Sequence, residues 1–331
     1  MSRVSVIIPV RNGEQFIAQA INSILSQTLI DLELLVVNDA STDSTAEIIQ
    51  SYTDPRLRLL NNKERMGVSA SRNRALEEAN ATYVAFLDGD DIAYADRLNK
   101  QIDFLESHPN VVLVGSYLDY IDADGLLLYS DNPGQRPCNS GELRMELLKR
   151  VCILPSTATG RKTALVEAGG FPPQDYAEDH DLWCRLATKH DLAILPERLV
   201  AYRQHANQAS FKRIYASYKA TQACINRAKA TYVFAGLLTP DKLLSHLSFW
   251  NRLVGANGSA GSIYLQWAEL YSWALKQPRA AWSLCWMAIF FSPLNATAWM
   301  LLMRTTEQVL LPSRMSRALH WYAKKWLGRL R

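Results

Sequence analysis

The sequence predicts an α/β fold built on a mainly parallel sheet with helices on both faces. Four short apolar runs alternate with three helical patterns within the first 90 residues. Apolar runs without polar alternation read as strands buried on both faces, and a β-α-β-α-β-α-β order makes neighbouring strands parallel. The fourth run, Tyr83 to Leu87, passes straight into Asp88-Gly89-Asp90-Asp91. Carboxylates do not stay buried unpaired, so they mark where this strand leaves the sheet. In open α/β sheets that edge, outside the carboxyl ends of the strands, is where ligands bind.

The elements follow in order. Val4 to Val10 is a first buried strand with Pro9 near its exit. Over residues 14–27 the spacing puts Phe16, Ile17, Ala20, Ile21, Ile24 and Leu25 on one helical face. Leu32 to Val37 is the second strand and ends in Asn38-Asp39. Ser41 or Thr42 is expected to cap a helix over Thr45 to Tyr52. Leu57 to Leu60 is a short third strand, and the polar loop Asn61 to Arg65 leads through Gly67 into a helix over Ser69 to Ala79. Beyond the aspartates, Val111 to Tyr120 reads as a strand followed by a turn at Asp122-Ala123-Asp124-Gly125, and residues 142–150 as a helix. Pro155 to Gly160 is a loop of small hydroxyl residues, Gly169-Gly170 a forced turn, and Glu178-Asp179-His180-Asp181 opens a helix through Leu182, Trp183 and Leu186. Trp183 reads as core. Leu199 to Tyr202 is a last strand, running into Arg203-Gln204-His205.

From about residue 211 the texture changes to long helical patterns rich in Trp and Tyr, and the charge changes with it. Residues 211–331 hold 16 Lys/Arg and three acids, a net of +13, whereas residues 1–210 hold 20 basic and 29 acidic residues, a net of −9. The expected organisation is a catalytic domain over 1–210 and a basic, Trp-rich helical region over 211–331. Residues 280–303 carry no charge, but Ser292-Pro293 in their middle reads as a helix start, so two packed amphipathic helices are expected there rather than a membrane span. Five scattered cysteines without a CxxC pair argue for reduced thiols and against a zinc site. The chain opens directly into a strand-like run without a signal-peptide apolar region, so the expected setting is cytoplasmic.

Asp88 and Asp90 lie two residues apart across Gly89, a pair able to aim oxygens at one hard cation that keeps water and phosphate as its other ligands. The first strand is not followed by GxGxxG, which argues against a dinucleotide-binding dehydrogenase, and no GxxxxGK[ST] marks a P-loop NTPase.

Six segments in one order resemble the inverting family 2 glycosyltransferases of bacterial polysaccharide type, which have the GT-A fold. They are VSVIIPVRNGEQFIAQAINSILSQT at 4–28, LELLVVNDASTDST at 32–45, GVSASRNRAL at 67–76, YVAFLDGDD at 83–91, AEDHDLW at 177–183 and YRQH at 202–205. The resemblance covers about residues 1–210. One departure is Asn38-Asp39-Ala40-Ser41, where the family often has two acids followed by Gly-Ser; Asp39 is kept.

The resemblance implies roles for single residues. Asp39 would bind the nucleotide base, with Pro9 and Val10 lining the same pocket, and Arg72 lies in the segment often found near the nucleotide. Asp88 would contact the ribose or the metal, Asp90 would ligate a divalent cation (Mn²⁺ or Mg²⁺) bridging the donor diphosphate, and His205 matches a late histidine used as a further metal ligand or diphosphate contact. Asp179 would be the catalytic base. The implied partners are a nucleotide-sugar donor and a glycan or lipid-linked acceptor, not nucleic acid.

Each assignment has a plainer rival. Asp39 or Asp179 could simply cap a helix, Glu178 or Asp181 could be the base instead, Arg72 could be a surface helix residue, and a lone histidine is usually structural. At the level of function the rivals are a metal-dependent sugar nucleotidyltransferase and a non-catalytic scaffold that binds a membrane or a partner. The loop Arg11-Asn12-Gly13-Glu14 has too little glycine to receive a triphosphate, which counts against the first. Residues 314–331, read as a helix, put Met315, Leu319, Tyr322, Trp326 and Leu330 on one face, with Arg314, Arg317, Lys324, Lys325 and Arg331 largely away from it. Such a helix suits an anionic membrane interface, and peripheral docking on the inner face of the cell membrane is the expectation.

Overall fold

The computed structural model of the protein describes residues 2–132, 134, 139–174, 176–205, 208 and 214–237. These fall in one compact unit, Met1–Thr239. Residues Pro240–Arg331, and with them the uncharged stretch 280–303 and the basic segment 314–331, lie outside the described residues.

The parallel half of the sheet forms as the apolar runs predict. Strands β1 (Val4–Val10), β2 (Leu32–Asn38), β3 (Leu57–Asn61) and β4 (Tyr83–Phe86) are all parallel and stand in the order β3-β2-β1-β4. Every residue of β1, β2 and β4 is buried. Pro9 has no N–H to donate. It lies beyond the last β1–β4 pair, Ile7 with Phe86, so the ladder on that side loses nothing.

Helix α1 (Ile17–Leu25) buries Ile17, Ala20, Ile21, Ser23 and Ile24 against this half. Full burial of each isoleucine contributes about 1.5–3 kcal/mol. Helix α2 (Thr45–Gln50) starts after Ser44, whose side chain makes no capping bond. The expected caps are engaged elsewhere: Ser41 Oγ accepts from the N–H of Asn12 and the Thr42 N–H donates to Asn12 Oδ1. The cap role passes to Asp43, whose Oδ1 accepts from the Thr45 N–H and hydroxyl. The two loops at the carboxyl ends of β1 and β2 are thereby tied to each other. Helix α3 (Val68–Glu78) follows Gly67.

The second half of the sheet is mixed. Past β4 the order continues β8-β6-β9-β5, with β7 (Leu127–Ser130) on the edge of β6. Strand β6 (Val111–Ile121) is parallel to β9 (Asp191–Arg203) and antiparallel to β8 (Thr159–Arg161), which is antiparallel to β4. The two-residue β5 (Ile92–Ala93) pairs with β9 and brings Tyr202 and Arg203 beside the aspartates. Helices α4 (Arg97–Ser107), α5 (Ser140–Leu147), α6 (Lys162–Glu167), α7 (Glu178–Leu186) and α8 (Ile214–Phe234) complete the unit. Trp183 is fully buried, with its Nε1–H donating to the Ile153 carbonyl, which makes it core as expected. Cys152, Cys184 and Cys224 are buried. Among the described residues no helix is long and apolar enough to cross a membrane.

The turn at Gly169-Gly170 links fold to site. Both glycines have positive φ, +84° and +63°. Immediately after them Phe171 is clamped by Asn73: its N–H donates to Asn73 Oδ1, and Asn73 Nδ2 donates to its carbonyl, both at 2.8 Å. A Cβ on Gly170 would stand 2.6 Å from that same Asn73 Oδ1. Gly170→Ala is expected to cost about 1–2 kcal/mol from the left-handed backbone alone, and more from the displaced clamp. Thermal melting should show a larger loss than for Gly125→Ala, which has positive φ but only Arg203 Nη1 at 3.9 Å. Equal losses would mean that the clamp carries no load.

Candidate active site

Three groups of side chains gather where the strands end. In the first, the Asp39 N–H donates to the Val10 carbonyl at 2.8 Å, which brings Pro9, Val10 and Asp39 together at the ends of β1 and β2. The Asp39 carboxylate does not cap α2. It accepts from Asn62 Nδ2 and the Met66 N–H on Oδ1, and from the Gly67 N–H on Oδ2, at 2.7–2.9 Å. It therefore shapes the turn into α3. Burial pushes its proton affinity up, but the bonds from Met66, Asn62 and Gly67 outweigh this and hold it below the usual carboxylate range.

The second group surrounds Arg72. This side chain is buried, not a surface residue of α3. Nη2 donates to Asp88 Oδ1 at 2.6 Å, Nη1 donates to Glu178 Oε1 at 2.7 Å, and the guanidinium lies over the Phe171 ring at 5.3 Å. Burial lowers the proton affinity of Arg72, but Asp88, Glu178 and Asp179 more than compensate and raise it. Asp88 is anchored from behind as well, its N–H donating to Ser156 Oγ at 3.0 Å in the hydroxyl-rich loop.

Of the three acids that open α7, two are engaged. Glu178 is paired with Arg72. Asp181 is paired through Oδ1 with Arg185 one turn on and through Oδ2 with Arg227 of α8, at 2.8 and 2.7 Å. Asp179 has no ion pair among the described residues. Burial first, then the neighbouring Glu178 carboxylate, pushes its pKa up to about 7; Arg72 and the His180 N–H offset only part of this, and Asp88 adds to the rise. Three carboxylates share one guanidinium, so the third retains its proton most readily.

The third group is Asp90 with His205. His205 Nε2 lies 3.0 Å from Asp90 Oδ2, and the imidazole packs on the Phe16 ring, centroids 4.8 Å apart. Asp88 is turned to Arg72, and among the described residues no three His, Cys, Asp or Glu side chains gather as a preformed cation cage.

The comparisons with known proteins agree with this architecture. Residues 5–169 match Glycosyl transferase family 2. A protein of Escherichia coli, UDP-Glc:alpha-D-GlcNAc-diphosphoundecaprenol beta-1,3-glucosyltransferase WfgD, is 39% identical over 207 residues, covering 62% of this chain and 78% of that protein. The chain belongs to glycosyl transferase family 2. An uncharacterized glycosyltransferase of Haemophilus influenzae is 33% identical over 216 residues, 62% of this chain and 67% of its own length. The putative glycosyltransferase EpsE of Bacillus subtilis is 39% identical over 127 residues, and the chain spans only 46% of that protein. Among solved structures, S. aureus TarS 1–349 in complex with UDP-GlcNAc superposes with a TM-score of 0.62 at 18% identity, covering 93% of this chain and 91% of that one. At that identity the likeness speaks for the fold, and the fold is GT-A. The nucleotidyltransferase and scaffold alternatives fall away for a family 2 glycosyltransferase.

Sequence reasoning missed four residues of this site: Glu178 as the partner of Arg72, Ser156, Phe171 and Arg203. The first had a signal, since a buried arginine near Asp88 must find compensating charge.

The proton affinity of Asp179 makes a stability prediction for the family 2 enzyme. The carboxyl rises from an ordinary 3.8 to about 7 on folding, so between these values the native state holds a proton that the unfolded chain has lost. Stability contributed at this position is therefore greatest at low pH and falls as pH rises from about 4 to about 7. Asp179→Asn, neutral throughout, should melt higher than wild type at pH 8 and similarly at pH 4. A melting difference independent of pH would show that the carboxyl is not perturbed.

Proposed function

We propose that this glycosyltransferase moves a sugar from a nucleoside-diphosphate sugar to a hydroxyl of a glycan or lipid-linked acceptor, in surface polysaccharide synthesis, by one inverting displacement with Asp179 as base. The observation that carries the reading is the contrast within Glu178-Asp179-His180-Asp181: among the described residues Glu178 and Asp181 are paired with arginines, and Asp179 is not. A base with a pKa near 7 is matched to taking a hydroxyl proton at neutral pH. The acceptor oxygen forms a bond to the anomeric carbon while the bond from that carbon to the diphosphate oxygen breaks. The electron pair leaves with the diphosphate, and the acceptor proton passes to an oxygen of Asp179. With one base and no covalent intermediate, configuration inverts.

The nucleotide would lie along Asp39, Pro9 and Val10, with the free lone pairs of Asp39 facing the base. Arg72 holds Asp88 Oδ1, which leaves Oδ2 for the ribose or the cation. A divalent cation, Mn²⁺ or Mg²⁺, fits Asp90 and His205. Adjacent ligands of an octahedral ion with bonds of about 2.0–2.1 Å stand about 3 Å apart, and the Asp90 Oδ2 to His205 Nε2 separation is 3.0 Å. Such an ion, when bound, supplies positive charge to the leaving diphosphate.

The E. coli relative is named for a UDP-sugar donor and a diphosphoundecaprenol-linked acceptor, which supports a lipid-linked acceptor here. The basic excess of residues 211–331 agrees with docking on an anionic membrane near such an acceptor, by charge alone.

Two measurements test the reading. Asp179→Asn should keep donor binding and lower transfer by about 10² or more, and wild-type kcat should rise with pH through about 7 as Asp179 loses its proton. Full transfer by that variant moves the base elsewhere. Asp90→Ala should lose Mn²⁺-dependent donor binding across a panel of UDP, GDP and dTDP sugars. Unchanged affinity at saturating Mn²⁺ removes Asp90 from the cation site.

A further inference from the structure

Arg203 is fully buried although it stands at the end of the long strand β9. Its guanidinium makes four hydrogen bonds. Nε donates to the Asp90 carbonyl at 2.8 Å, Nη1 donates to the carbonyls of Asp122 and Ala123 at 3.0 and 2.9 Å, and Nη2 donates to Gln19 Oε1 at 2.7 Å. Its own N–H donates to Oδ1 of the fully buried Asp91 at 2.8 Å. The plane of the guanidinium lies over the Phe16 ring at 4.7 Å, and the same ring contacts His205. One side chain thus gathers α1, the Asp88–Asp91 turn and the β6–β7 turn.

Neutral backbone carbonyls accept three of these bonds, and no carboxylate lies within ion-pair distance of the guanidinium among the described residues. Burial of this cation costs desolvation that the carboxylates of Asp91, Asp90, Asp122 and Asp124 nearby offset only in part, so simple stability is a poor account of it. What it does achieve is geometric. Its Nε fixes the carbonyl of Asp90, and hence the backbone from which that carboxylate projects. Its stacking sets the tilt of Phe16, the ring against which the His205 imidazole rests. Both members of the 3.0 Å pair are held through one residue.

We propose that Arg203 is a positioning residue for the cation, acting on Asp90 through its main chain and on His205 through Phe16. The inference rests on the reading of Asp90 and His205 as cation ligands. Groups behind metal ligands typically change metal affinity by about 10- to 100-fold when altered. A lysine at 203 keeps the charge but cannot reach the Asp90, Asp122 and Gln19 acceptors together or stack as a plane.

The experiment measures Mn²⁺ binding by the full chain, with free ion followed by its electron paramagnetic resonance signal, in the presence of UDP, GDP and dTDP in turn. Wild type, Asp90→Ala, Arg203→Lys and Phe16→Leu are compared, with circular dichroism confirming folding. Arg203→Lys should bind Mn²⁺ at least 10-fold more weakly, with kcat largely recovered at high Mn²⁺, and Phe16→Leu should weaken it severalfold. Phe16→Leu leaves every hydrogen bond of Arg203 in place and so keeps the test open if Arg203→Lys does not fold. Loss of binding in Asp90→Ala with wild-type affinity in Phe16→Leu and in any folded Arg203→Lys would overturn the positioning role and leave the cation reading standing. Absence of Mn²⁺ binding in wild type, or wild-type affinity in Asp90→Ala, would overturn the cation reading and this inference with it.

Discussion

The site depends on one buried guanidinium. Arg72 reaches Asp88 at the end of β4 and Glu178 at the start of α7, partners 16 and 106 residues away in the chain. Burying an ion pair yields little net stability, because desolvation consumes most of the attraction, whereas removing one partner strands a charge at a cost of about 3–5 kcal/mol. Arg72 is therefore better understood as a constraint on position than as a source of stability. It fixes the parallel half of the sheet against the helix that carries the proposed base. It is also one cation among three carboxylates, Asp88, Glu178 and Asp179: burial first and then Glu178 raise the proton affinity of Asp179, and Arg72 offsets only part of that rise.

The parallel half was legible because its signal is local. Strands β1, β2 and β4 are buried on every residue, so hydrophobicity alone marks them to within a residue or two. The mixed half hides for identifiable reasons. Strands β5 and β8 are two and three residues long, too short for any periodicity. Strand β9 carries Pro196 and register shifts against β6, so only its last apolar residues, 199–202, look like a strand. Helix α4 buries Arg97 and Gln101 beside Leu98, Ile102 and Leu105, which blunts the apolar stripe that would announce it. Those polar residues hold strands together: Arg97 donates to the carbonyls of Phe86 and Ala158, and Gln101 Nε2 to that of Thr157.

The site shows the same division. The family resemblance points to Asp39, Asp88, Asp90, Asp179 and His205, and these residues lie toward the carboxyl edge of the sheet. What the sequence leaves open is which carboxylate does what. The Asp181–Arg185 pair is an i,i+4 contact that helix spacing suggests, but Arg227 approaches from 46 residues away. Arg203 is the least visible of all. A charged residue closing a strand reads as solvent-facing, and only the fold reveals that it points inward to backbone carbonyls of distant turns.

The helix beyond residue 210 bears on the proposed base as well. Ala177, just before Glu178, has φ +56°, a left-handed conformation that costs an alanine about 1–2 kcal/mol. Something must hold it there. Its carbonyl accepts the Asp181 N–H in the first turn of α7 and the Cys224 thiol of α8 at 3.6 Å. Arg227 of α8 pairs with Asp181, and the Tyr232 hydroxyl donates to the Cys184 carbonyl. The acids of the first turn also sit where the positive end of the helix dipole favours negative charge. Helix α8 thus braces α7 at the strained residue and along its length. By its contacts it belongs with the catalytic unit, and the composition change near 211 falls earlier in the chain than the end of that compact unit at Thr239.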